Sequence, residues 1–167
     1  MSPFLKYVIV FFISMVPIVE LRGAVPIGIT GFGLNFFATL GICIIGNMLP
    51  VPLIYFFARK VLVWGSTWKH GSGIFKWILN KGEKAGKKLT KNGETGTFIA
   101  LMLFVGIPIP GTGAWTGTLA ASMLNMNWKK TSIAVMLGVL MAGIIMLVLS
   151  ILAKEGVINC AGYSYLE

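Results

Sequence analysis

The chain has 167 residues, 56% of them hydrophobic and 11% charged, with a net charge of +9. A soluble domain carries about a quarter charged residues, so this composition excludes a soluble globular domain and points to an all-α integral membrane protein, long enough for one compact helical domain. The expected layout is a single membrane domain over residues 1–167: a first repeat at 1–58, a basic cytoplasmic linker at 59–96, a second repeat at 97–153 and a tail at 154–167.

Residues 4–33 form the first apolar region, interrupted by Pro17-Ile-Val-Glu-Leu-Arg-Gly-Ala-Val-Pro26. Glu20 and Arg22 are the only charged side chains between Tyr7 and Ala58. A charge at membrane depth costs roughly 2.5–3.5 kcal/mol on insertion scales and usually marks a transport path or a substrate site. Pro17 and Pro26 each lack a backbone donor, and Gly23 admits conformations that a helix excludes. Neither half of the region is long enough to cross a bilayer, so a re-entrant helical hairpin is expected, with Glu20 and Arg22 on an extended segment at its tip. Such backbone is tolerated at membrane depth only when buried in protein or lining a wet cavity. No cleavable signal peptide is read here, because no small-residue cleavage site precedes the two charges.

Residues 36–58 are long enough to span a bilayer. Within them Asn47 supplies a polar contact or a hydrogen-bonded cross-link between helices. Nine of the fourteen Lys and Arg residues then fall between Arg59 and Lys91, which places the linker in the cytoplasm by the positive-inside rule. Ile74, Phe75, Ile78 and Leu79 recur at helical spacing, so residues 66–80 are expected as an amphipathic helix in the cytoplasmic interface. Lys76, Lys81 and Lys84 are its lipid-surface contacts. A basic segment joining two membrane regions is explained by anionic headgroups, and no nucleic-acid partner is expected.

The second apolar region, 97–122, is broken at Gly106-Ile-Pro-Ile-Pro-Gly-Thr-Gly-Ala-Trp-Thr-Gly117, with Pro108, Pro110, Gly111 and Gly113 as the breaking residues. It too reads as a re-entrant hairpin. Thr112 and Thr116 add hydroxyls there, beside helix N-termini that offer backbone donors to an anion. Residues 131–153 form the second span. Pro17 to Ala24 can be laid on Pro108 to Ala114 with one gap; Leu34-Asn35 then falls near Leu124-Asn125, and Gly46 near Gly138. With Lys129 and Lys130 held in the cytoplasm, the two halves acquire opposite topology. The result is an inverted repeat of re-entrant hairpin plus spanning helix, the plan of many secondary transporters, whose site lies between the broken segments near the midplane.

Glu-x-Arg-Gly-Ala-x-Pro paired with Ile-Pro-Ile-Pro-Gly-Thr-Gly-Ala-Trp resembles the bacterial and archaeal small multidrug export proteins over nearly the whole chain. That family is distantly similar to the DedA membrane proteins, which have paired re-entrant hairpins and an acidic residue in the first. The resemblance implies export of drugs, or a proton-driven lipid flippase or scramblase of the DedA kind. Gly111-Thr112 stands where DedA proteins tend to have Gly-Glu, so the second hairpin lacks a carboxylate.

The functional expectation is a proton-coupled transporter for an amphipathic substrate, drug-like or lipid-phosphate. Removing a carboxylate from water favours its protonated form, which makes Glu20 the candidate for proton coupling or for pairing with a cationic substrate; Arg22 would hold an anionic group. The proton and substrate candidates are therefore Glu20, Arg22, Thr112, Thr116 and Asn47. A structural Glu20–Arg22 ion pair is the alternative at the first break, and a non-transporting lipid-binding scaffold is the alternative for the whole chain. No enzyme is expected, since no nucleophile–base constellation or phosphate loop is present. No metal or cofactor is expected either: His70 is the sole histidine, and Cys43 and Cys160 are far apart in sequence. The expected setting is the plasma membrane of a prokaryote, multi-pass and surrounded by membrane lipids, with a homodimer completing the cavity.

Overall fold

The computed structural model describes residues 1–66, 93–109 and 111–163. The expected interfacial helix at 66–80, with Lys76, Lys81 and Lys84, and Pro110 of the second break lie outside the described residues. Everything regular within them is helical, with no strand. Among the described residues, two stretches have the length and composition to cross a membrane: Phe36–Phe57, mean hydropathy 1.9, and Trp128–Gly156, mean hydropathy 2.8. The chain divides into two compact units, one of Met1–Asn47 with the segment from Leu140 onward, the other of Met48–Val139.

In the first unit, α1 spans Pro3–Met15. Ser2 caps it, its hydroxyl accepting from Leu5 N at 3.4 Å, and Pro3 takes the first helical position, where no donor is needed. The helix ends at Val16, which is extended (ψ 130°) because the ring of Pro17 excludes the helical region for the residue before it. α2 runs Glu20–Pro26 and continues into a π-helical turn, Ile27–Gly31. Pro26 cannot donate to the carbonyl four residues back, and the wider turn follows at that point, closed by Phe32 N donating to Ile27 O at 3.0 Å. The start of α1 holds the exit of this segment: Lys6 Nζ donates to Phe32 O at 3.0 Å, and the Tyr7 hydroxyl accepts from Asn35 N at 3.3 Å. α3, Phe36–Met48, follows.

In the second unit, α4 spans Pro50–Ser66, α5 Gly93–Gly106 and α6 Ala114–Met123, before the long α7, Trp128–Tyr163, begins. α4 packs along α6. Ser122 Oγ donates to Tyr55 O at 2.8 Å, and the Tyr55 hydroxyl donates to Met126 O. The ring of Trp128 stacks at a tilt on Tyr55 and Phe56, with centroids 5.0 and 5.1 Å away. From Leu140 onward α7 belongs to the first unit, where Gly143 meets Leu40 and Leu21, and Lys154 Nζ lies 5.3 Å above the Phe36 ring.

The two units are assembled from the same parts. Each contains a broken helix pair, the first turns of the helix that follows it (36–47 and 128–139), and one further helical segment, the part of α7 from Leu140 in the first unit and α4 in the second. The following helices match in detail. The Asn35 side chain caps α3, accepting from Phe37 N and Ala38 N at 3.1 and 3.2 Å; the Asn127 side chain caps α7, accepting from Lys129 N at 2.9 Å. Thr39 and Thr131 follow four residues later and are fully buried. Seven residues beyond them, Gly46 and Gly138 are buried at close helix crossings. Asn35 and Asn127 thus share a capping role that Asn125 does not have. Asn125 sits in the turn after α6 with a left-handed backbone (φ 54°).

Candidate functional site

Glu20 and Arg22 stand where α1 gives way to α2. The break is shorter than the sequence suggests. Pro17 ends α1, residues 17–19 turn, and the chain is helical again at Glu20, with Glu20 N donating to Val16 O and Gly23 N to Val19 O, both at 2.9 Å. Arg22 and Gly23 therefore lie inside α2 and not on an extended segment. Gly23, expected from its conformational freedom to break the helix, does not break it. Here glycine answers a packing demand, since a Cβ at this position would come within 2.3 Å of the Val19 side chain.

The Glu20 backbone carries the conformational anomaly of the turn, a left-handed φ of 50°. Glutamate has neither the freedom of glycine nor the short side chain that lets asparagine visit this region. A non-glycine residue held there costs of order 1–3 kcal/mol, and such strain gathers at functional sites. Glu20 is also buried, at 5% exposure, beside the buried Leu21, Ala24 and Val25. Arg22 is half-buried and is electrostatically coupled to Glu20. The two residues stand two positions apart at the start of α2, and neither is without a partner. Asn47 belongs to the same unit, 3% exposed on α3, and its side-chain oxygen has no hydrogen-bond partner among the described residues.

Thr112 and Thr116 belong to the second unit. The break between α5 and α6 is a true loop. Ile109 N donates to Ile107 O at 2.8 Å, Thr112 N donates to Ile109 O at 3.2 Å, and Gly111 takes a left-handed φ of 85°. The Thr112 hydroxyl lies 3.0 Å from Ile107 O and 2.9 Å from Ile109 O. Its donor therefore serves the loop. Thr116 is exposed near the start of α6, its hydroxyl 3.4 Å from Gly113 O.

The threonines Thr39, Thr118 and Thr131, which sequence reasoning does not single out, are fully buried and have no hydrogen-bond partner among the described residues. A buried unsatisfied group costs about 1–3 kcal/mol and calls for an explanation such as water or a ligand. Thr39 faces the π-helical turn at Gly28, where an added Cβ would meet the threonine methyl at 2.5 Å. A readable signal existed in the repeated spacing Asn-x3-Thr-x6-Gly at Asn35, Thr39, Gly46 and at Asn127, Thr131, Gly138.

Among the described residues no three His, Cys, Asp or Glu side chains gather as a metal site. What remains is a strained, buried carboxylate coupled to a guanidinium, with unpartnered polar groups on the following helix of the same unit. Such a set can bind a charged group or relay a proton. No curated protein and no solved structure matches the chain. Residues 20–145, a stretch that opens on Glu20 itself and closes within α7, match the family described as "Putative small multi-drug export protein", and this membrane protein belongs to that family.

Proposed function

We propose that this protein exports amphipathic small molecules across the membrane in exchange for protons, with Glu20 as the group that takes up and releases the proton. The observation that carries the reading is Glu20 itself, a carboxylate 5% exposed and held at a left-handed backbone angle beside Arg22. A structural ion pair needs neither the strain nor the burial, and both are costs that selection removes unless the site uses them. Arg22 remains charged throughout. In this mechanism it balances the ionised carboxylate and lets a cationic substrate compete with the proton for one position.

The parts that the two units have in common support an internal repeat, and the break in each unit supports a re-entrant hairpin. Thr112 and Thr116, at the break of the second unit, are the hydroxyls this reading assigns to substrate there. The test is reconstitution into proteoliposomes with an imposed pH gradient and a fluorescent lipophilic cation as probe. Gradient-dependent accumulation above protein-free vesicles is expected; accumulation equal to that of empty vesicles would remove the reading.

A further inference from the structure

The second unit holds a cleft that the Glu20 mechanism does not use. Glu94 and Thr97 of α5 line it together with residues 124–127 and Lys130 at the start of α7, around a volume of about 100 Å³. That is ample for several waters or a small polar group. The Glu94 carboxylate and the Lys130 ammonium pair with one another, yet their side chains remain 77% and 48% exposed. A ligand can therefore reach both charges.

The position in the chain gives the cleft a depth. Lys130 is in the first turn of α7, at the end of a stretch long enough to cross the bilayer, so the cleft opens at a membrane–water boundary. Trp128, Tyr55 and Phe56 cluster beside it, and the Tyr55 hydroxyl is bonded to the carbonyl of Met126, a lining residue. Tryptophan and tyrosine concentrate at headgroup depth. The lining itself combines one carboxylate, one ammonium, the amides of Asn125 and Asn127, and the apolar side chains of Leu124 and Met126.

We propose that this cleft binds the headgroup of a zwitterionic aminophospholipid, of the phosphatidylethanolamine class. The lipid ammonium donates to the Glu94 carboxylate, its phosphate accepts from Lys130, and the first carbons beyond the phosphate lie against Leu124 and Met126. The ligand thereby replaces one ion pair with two of matching sign. A primary ammonium carries three donors, whereas a choline headgroup has none to offer Glu94. A headgroup with a phosphate and no ammonium would leave Glu94 facing like charge.

Native mass spectrometry of the full chain, titrated with phosphatidylethanolamine, phosphatidylcholine and phosphatidylglycerol of matched acyl chains, tests this. The wild type should retain the ethanolamine lipid about fivefold over each of the others, the scale expected of two partly exposed ion pairs. Glu94→Gln and Lys130→Gln should each abolish the preference, while Lys130→Arg, and Lys129→Gln just outside the lining, should keep it. A thermal melt in the same detergent verifies that each variant is folded. Equal retention of the three lipids, a preference for phosphatidylglycerol, or survival of the preference in both neutralised variants would overturn the proposal. Displacement of the lipid by equimolar soluble phosphoethanolamine would overturn a lipid as the source.

Discussion

Gly46 and Gly138 do the same work in the two halves of the chain. A Cβ on Gly46 would come within 2.7 Å of the Phe11 carbonyl oxygen in α1, and one on Gly138 within 2.7 Å of the Met102 carbonyl oxygen in α5. Neither carbonyl can swing aside, because both belong to helical backbone. Small residues that let helices approach this closely are a main source of association where lipid removes the hydrophobic drive.

Gly46→Ala and Gly138→Ala should therefore each destabilise the fold by about 1–3 kcal/mol through overpacking. Gly41 lies in the same α3 helix with nothing within 4 Å of its added Cβ. Gly41→Ala should leave stability unchanged or raise it by about 0.5–1 kcal/mol, the ordinary gain from removing a helical glycine. Thermal melts in one detergent compare the three, and a Gly41→Ala loss equal to the other two would count against the close crossings.

The two asparagines near the start of α7 should separate in the same assay. Asn127→Ala removes the α7 cap and should cost about 1 kcal/mol, as should Asn35→Ala at α3. Asn125 holds a left-handed turn, so alanine there should be worse than glycine by about 1–2 kcal/mol. If Asn125→Ala and Asn125→Gly proved equally stable, the left-handed backbone at Asn125 would carry no strain.

That contrast shows how much of the molecule was legible. Composition and apolar lengths were enough for the helical class and both spans, and Pro17 was enough for the end of α1, because these depend on local chemistry. A capping asparagine and a turn asparagine two residues apart look alike in sequence; the hydrogen bond to Asn127 and the left-handed backbone of Asn125 tell them apart. Glu20 and Arg22 were visible as charges in an apolar stretch. The helix resuming at Glu20 was not, since it rests on backbone bonds to Val16 and Val19 across a turn that Pro17 and Pro26 seemed to forbid. Thr39 and Thr131 looked like ordinary helix residues, and their unpartnered hydroxyls arise only from what packs around them. The Glu94–Lys130 cleft needed a contact across 36 positions of chain, which no local pattern encodes.

Tyr55 joins α4 to the exit of α6 through its hydroxyl on Met126 O and its own carbonyl on Ser122. Tyr55→Phe keeps the ring contacts with Phe56 and Trp128 and removes one hydrogen bond, for an expected loss of about 0.5–1.5 kcal/mol. Tyr55→Ala removes the rings' packing as well, so it should cost clearly more and shift Trp128 emission. Equal melting of the two variants would show that the aromatic cluster carries no stability.

The central claim is that Glu20 carries the coupling proton and is more than the partner of Arg22. Its most direct test is Glu20→Gln in proteoliposomes, measured in two modes with the same lipophilic cation. The account predicts that pH-gradient-driven accumulation is lost while substrate exchange at equal pH on both sides persists, because the neutral amide mimics a permanently protonated carboxyl. Accumulation by Glu20→Gln at the wild-type rate would contradict it.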